Sequence, residues 1–379
     1  MQIKQLKQHL PTTPAFLLDQ QSIQTNLQRL TALKKQSGCK VLYSIKALPL
    51  ATLMYWVKNS ADGFSVSSLY EARLAHEILD DTGSIHLTTP GLRADEMQEL
   101  MHLCSHISFN SLNQWQRFAE MPHQSVSLGL RVNPKLSFAP DARFDPCRTH
   151  SKLGVDIQDL YKQGLPKHVQ GIHIHTVFSA TDFEPLIQTV AALRAQLGGA
   201  FKTLQWLNLG GGYLFNQIGD HTPFIELVKQ LRQEFGLDVY IEPGKDILEQ
   251  TGYLISTVID CFESDGKQIV VLDTSINHHP EVFEYQRQPD LVEHHVAGPY
   301  TATLVGSTCL AGDVFGEYQF DQPLNLDDRV VFNNVGAYTL IKANRFNGYP
   351  LPDIYTFNNH QLTPLKHDSY QAYRQQWLV

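Results

Sequence analysis

The chain has 379 residues, of which 42% are hydrophobic and 18% charged, and its formal net charge is −8. That length allows two domains or one barrel with a companion, and the composition is that of an ordinary globular protein. The negative charge argues against nucleic acid as a partner and suits a cationic small molecule. Five widely spread cysteines (Cys39, Cys104, Cys147, Cys261, Cys309) form no CxxC pair. Their odd number argues against a full disulfide framework and points to a reducing cytoplasm. The opening segment lacks the apolar core of a signal peptide, and no run of about 18 apolar residues predicts a membrane span.

In chain order, "AFLLD" precedes the helix-like "QSIQTNLQRLTALKKQSG". From "KVLYSIKA" to "DVYIEPG" eight short apolar β-rich runs follow, most of them separated by helical periodicity. Such alternation predicts a parallel sheet, and eight repeats predict a closed (β/α)8 barrel. After about Lys245 the pattern changes to strand-rich segments with turn signals, including "YLISTVIDCFES", "GPYTATLVGSTC" and "DIYTFNNHQLTPL". We therefore expect an α/β barrel over residues 15–245 and an antiparallel β domain over 246–379, joined by residues 1–14.

In a (β/α)8 barrel the chemistry gathers at the C-terminal ends of the strands. That rule selects Lys46, Ser65, Arg131, His173, His175, the triplet Gly210, Gly211 and Gly212, and Glu242. Lys46 ends an apolar strand, where a cation is costly unless paired or chemically used. A glycine triplet lets backbone N–H groups face an anion, although a tight turn explains it equally well. Glu242 is either a rim salt-bridge partner or a fixed charge that holds a proton on a ring nitrogen. His175 is either a core histidine or a flat partner for an aromatic ring. An amine for an aldehyde, an anion cradle, a ring-nitrogen acid and a stacking imidazole together match the needs of pyridoxal 5'-phosphate.

These motifs resemble the alanine-racemase-like, fold-type III pyridoxal-phosphate decarboxylases. The resemblance rests on "YSIKA" around Lys46, "GIHIH" ending at His175, the triplet 210–212, "EPG" at 242–244 with Gly244, "GSTCLAGD" and "NNVGAYT", in that order. Within that family, "GSTCLAGDVFGEY", "VSSLYEA" and "RFNGYP" resemble the carboxynorspermidine and carboxyspermidine decarboxylases. The resemblance implies a homodimer with shared active sites. In it Cys309 protonates Cα, Asp313 faces a distal ammonium of a basic substrate, and Tyr338 reaches the cofactor phosphate. Arg131 would lie near the ring. Lys245 stands where related enzymes carry an arginine, and could serve the phosphate as a point charge. "HTVFSATDFE" departs from the run expected after His175, so another amino acid (diaminopimelate, ornithine or a siderophore precursor) stays open as substrate. Glu242 speaks against a racemase, and the β domain against a non-enzymatic cofactor carrier. "INHHPEVF" reads as a surface loop near the dimer interface, and its adjacent histidines make poor joint metal ligands.

Overall fold

The computed structural model describes residues 2–121, 125–139, 141–359 and 361–378. They divide into two compact units, one of residues 26–247 and one of residues 1–25 with 248–379.

The first unit is a closed parallel barrel. Its strands are Lys40–Ser44, Gly63–Val66, Ser84–Thr89, His106–Phe109, Ser127–Asn133, Gly171–His173, Trp206–Asn208 and Asp238–Ile241. Each pairs in parallel with the next, and Asp238–Ile241 pairs with Lys40–Ser44 to close the ring. Helices after the second and fourth strands start at serines. Ser68 accepts from the amide of Glu71, and Ser111 from that of Gln114. Each cap satisfies a donor that the first helical turn leaves free.

The floor of the barrel is built from rings. His86 and His106 stack with centroids 3.8 Å apart, and Tyr240 and Trp206 pack against both. The third and eighth strands are not neighbours, so the His86–Tyr240 contact crosses the lumen. Two glycines make room for the indole. A Cβ on Gly171 would lie 1.9 Å from Trp206 Cδ2, and one on Gly129 would lie 2.6 Å from its Cη2. The indole Nε1–H donates to Ser127 Oγ at 2.8 Å. Burial pushes His106 down to about 4 and His86 well below the usual imidazole value, so neutral imidazoles occupy this layer at neutral pH.

The second unit holds an eight-stranded sheet. Most of its pairs are antiparallel, but Ala15–Asp19 runs parallel to Asp353–Asn358, and Lys267–Leu272 runs parallel to Tyr300–Val305. The sheet is therefore mixed, where the turn signals predicted an antiparallel one. The expected start of the barrel at residue 15 also shifts, because Ala15–Asp19 pairs on both sides with strands of the second unit. Among the described residues no helix is long and apolar enough to cross a membrane.

The crowding at Trp206 predicts that Gly171→Ala destabilises the barrel by about 1–3 kcal/mol, the usual cost of overpacking a filled core. A urea unfolding series should show the loss as a lower midpoint.

Candidate active site

The C-terminal ends of the barrel strands surround a cavity of about 610 Å³. Lys46, Ser65, Arg131, His173, His175 and Glu242 all line it. Lys46 lies beyond its strand, in the single 3-10 turn Ile45–Ala47, rather than at the strand end that the sequence suggested. The turn swings the side chain out of the apolar ladder and into the open cavity, while Ile45 and Ala47 stay buried. The protein around the cavity desolvates the ammonium and pushes its pKa down; Glu242 and Glu71 oppose this and Arg131 adds to it.

Glu242 directly follows the eighth strand and is 5% exposed. Both carboxylate oxygens are engaged: Asn208 Nδ2 donates to one at 2.8 Å, and His173 Nε2 lies 3.3 Å from the other. Burial alone would raise this carboxyl. His173, the Lys46 charge and the Asn208 amide outweigh it and hold Glu242 below the usual carboxylate range. Asn208 is a residue the sequence reading passed over. Its carbonyl also accepts the Gly210 amide at 2.9 Å, so one buried side chain ties Glu242 to the glycine turn. The available signal was an amide between two leucines in an otherwise apolar strand.

The triplet is a close-approach turn rather than a strand-to-helix cradle. Gly210 and Gly212 have φ of +69° and +93°, and a Cβ on Gly211 would lie 2.3 Å from the Glu242 carbonyl oxygen. The next helix, Thr222–Phe235, starts well beyond them. The Gly210 amide is taken by Asn208, and the Gly211 amide donates to His175 Nδ1 at 3.2 Å. That bond makes Nδ1 an acceptor, so the neutral ring carries its proton on Nε2. Burial and the Arg131 charge keep the His175 ring neutral. Beside Gly212, whose carbonyl accepts the Ala180 amide, Lys245 Nζ donates to Ser179 Oγ at 3.2 Å. Gly244 sits tight on the first strand end, a Cβ there meeting Ser44 Cβ at 3.0 Å.

A family model described as "Pyridoxal-dependent decarboxylase, C-terminal sheet domain" matches residues 39–336. The carboxynorspermidine/carboxyspermidine decarboxylase of Campylobacter jejuni is 33% identical, covering 95% of this chain and 97% of that protein. The carboxyaminopropylagmatine decarboxylase of a Synechocystis species is 35% identical over 90% of this chain and 89% of that one. A crystal structure of carboxynorspermidine decarboxylase from Campylobacter jejuni, complexed with norspermidine, superposes with a TM-score of 0.88 at 30% identity, covering 96% of this chain and all of that one.

The chain belongs to the pyridoxal-dependent decarboxylase family.

This decarboxylase is a pyridoxal 5'-phosphate-dependent carboxy-lyase. Its cavity suits that cofactor on structural grounds. A lysine amine with a depressed pKa and an ionised carboxylate face the same space, and among the described residues buried His173 Nδ1 has no hydrogen-bond partner. The other expected site residues lie in the second unit. Cys309 is exposed on the turn before Val314–Phe320. Tyr338 has a left-handed φ of 65° and carries Lys342 Nζ 5.7 Å above its ring. Asp313, expected to face a substrate ammonium, is buried, and its carboxylate accepts from the amides of Ile276 and Thr308 and from the Thr308 hydroxyl. The 276–283 segment, expected at the surface, has His278 and His279 at 1% and 3% exposure.

Replacing Asn208 with leucine removes a bond that favours ionised Glu242, so the Glu242 pKa rises. Activity that needs the ionised form is then lost at a higher pH than in the wild type as pH falls. We expect kcat about tenfold lower at neutral pH, and activity lost at a higher pH on the acid side than in the wild type, read by CO2 release from pH 8 down to the lowest pH at which both proteins stay folded.

Proposed function

We propose that this decarboxylase removes the α-carboxylate of carboxynorspermidine or carboxyspermidine, as a step of polyamine biosynthesis. The observation that carries the chemistry is the shared cavity of Lys46 and Glu242. The substrate class rests on likeness along nearly the whole chain to relatives so named. The 35% identical carboxyaminopropylagmatine decarboxylase supports a second reading, a substrate that ends in a guanidinium rather than an ammonium.

Pyridoxal 5'-phosphate, when bound, supplies the electron sink for the pair released as the bond between Cα and the carboxylate breaks. The residues' roles follow from their chemistry. Lys46 would offer the amine that holds the cofactor aldehyde, and its lowered pKa makes the nucleophilic free base accessible. Glu242, kept ionised, would stabilise a proton on the ring nitrogen and so deepen the sink. Neutral His175 offers a flat face. Ser65 and Arg131 lie on the cavity wall and complete the polar lining. With two of the triplet's amides committed elsewhere, Gly212, Ser179 and Lys245 are the better candidates for the phosphate, with Lys245 acting as a point charge. By the family resemblance, Cys309 would be the proton donor to Cα.

Cys309 and Tyr338 belong to the second unit, and by the family resemblance we assign them to the site of a second copy, in a cytoplasmic two-fold homodimer. Five free cysteines support a reducing compartment. Light scattering should give twice the chain mass. Inactive Lys46→Ala and Cys309→Ala chains, refolded together, should recover on the order of a quarter of wild-type turnover, because random pairing rebuilds one intact site in each mixed dimer. No recovery from dimers shown to be mixed would overturn shared sites.

The substrate is settled by CO2 release from purified holoenzyme with carboxynorspermidine, carboxyspermidine, carboxyaminopropylagmatine, diaminopimelate and ornithine, with Lys46→Ala as the blank. We expect kcat/KM for one of the first two to exceed that for diaminopimelate and ornithine by about 100-fold or more. A preference for carboxyaminopropylagmatine would select the second reading.

A further inference from the structure

Three segments of the second unit lie beside one another: 274–279, 306–313 and 344–349. The structure ties them into one knot around Cys309. The Ser307 amide donates to the Thr274 carbonyl at 2.9 Å, and the Tyr349 hydroxyl donates to the Ser307 carbonyl at 2.6 Å. Asp313 reaches across the turn to the amides of Ile276 at 2.9 Å and Thr308 at 3.1 Å. Gly306 leaves it the room, since a Cβ there would lie 2.2 Å from Asp313 Oδ1. The Cys309 amide donates to Asn347 Oδ1 at 2.9 Å. The Asn344 amide binds the Asn277 carbonyl at 3.1 Å and joins the outer two segments.

The turn is therefore fixed at three successive residues, Ser307, Thr308 and Cys309, while the Cys309 side chain is left exposed. Exposed hairpin tips are ordinarily the loosest part of a sheet. Asn347 holds its acceptor in place from a left-handed backbone, φ 57° and ψ 13°, which asparagine tolerates better than most residues. An outlier conformation whose side chain bonds a single backbone amide is a reason to look for function there.

We propose that Asn347 and Asp313 are positioning residues that fix the Cys309 backbone so that its thiol meets the substrate Cα. This rests on the reading of Cys309 as proton donor. The transfer breaks the S–H bond and leaves its electron pair on sulfur as thiolate. The new C–H bond forms from the pair that remains at Cα when CO2 departs, and solvent returns a proton to the thiolate. Asp313 thus acts through the turn, which accounts for its buried and satisfied carboxylate.

The test compares Asn347→Gly, which keeps the left-handed backbone and removes the acceptor, with Asn347→Asp, which keeps both, and with Cys309→Ala. All are made in the full-length holoenzyme. The readouts are kcat and KM with carboxynorspermidine, and the rate at which iodoacetamide alkylates Cys309, followed by peptide mass. We expect Asn347→Gly to lower kcat about tenfold or more with KM within about twofold, and to change the alkylation rate at least threefold; Asn347→Asp should restore both. Wild-type kcat and alkylation in Asn347→Gly, beside an impaired Cys309→Ala, would overturn the positioning role and leave Cys309 as donor. Full turnover by Cys309→Ala would overturn the reading beneath it.

Discussion

The site is organised by one buried charge. An ionised carboxylate taken out of water costs several kcal/mol unless its oxygens are bonded and a cation lies near. Glu242 meets both conditions through the Asn208 amide, the His173 ring and the Lys46 charge. The partners stand at or just past the ends of different barrel strands, so the carboxylate is stable only when the sixth, seventh, eighth and first strands are in register. The Asn208 carbonyl extends the same requirement to the Gly210 turn. Closure of the barrel and readiness for chemistry are thus one condition.

The barrel divides this labour along its axis. Its floor is packed with the Trp206 indole, the His86–His106 stack and Tyr240. Its rim is lined by charges around an open cavity. Burial acts oppositely on the two ends: it keeps the floor imidazoles neutral and inert, whereas at the rim it lowers Lys46 toward a reactive amine while neighbours keep Glu242 charged. The second unit follows another logic. It holds the turn that carries an exposed thiol by hydrogen bonds from the Asn347 and Asp313 side chains to backbone amides.

Much of this was legible in the sequence. Alternating apolar and helical runs specify a barrel because each strand must bury both faces, and the eight predicted strands correspond to those observed. The rim rule then selected Lys46, Ser65, Arg131, His173, His175 and Glu242, which the fold does bring to one cavity. The second unit was less legible. Ala15–Asp19 is an apolar run like any barrel strand, and only pairing partners more than two hundred residues away place it in the other sheet.

What the sequence determined by itself was periodicity, and with it the strands, the rim and the residue types available there. What only the tertiary structure decided was which polar atoms meet. The Asn208 bond to Glu242, the Gly211 amide on His175 and the Ile276 amide on Asp313 all join residues whose sequence separation carries no pairing signal. A hydrogen bond depends on tenths of an ångström set by the packing of whole strands. For that reason the family resemblance offered Asp313 as a partner for a substrate ammonium, while only the fold showed its oxygens turned inward to hold a loop.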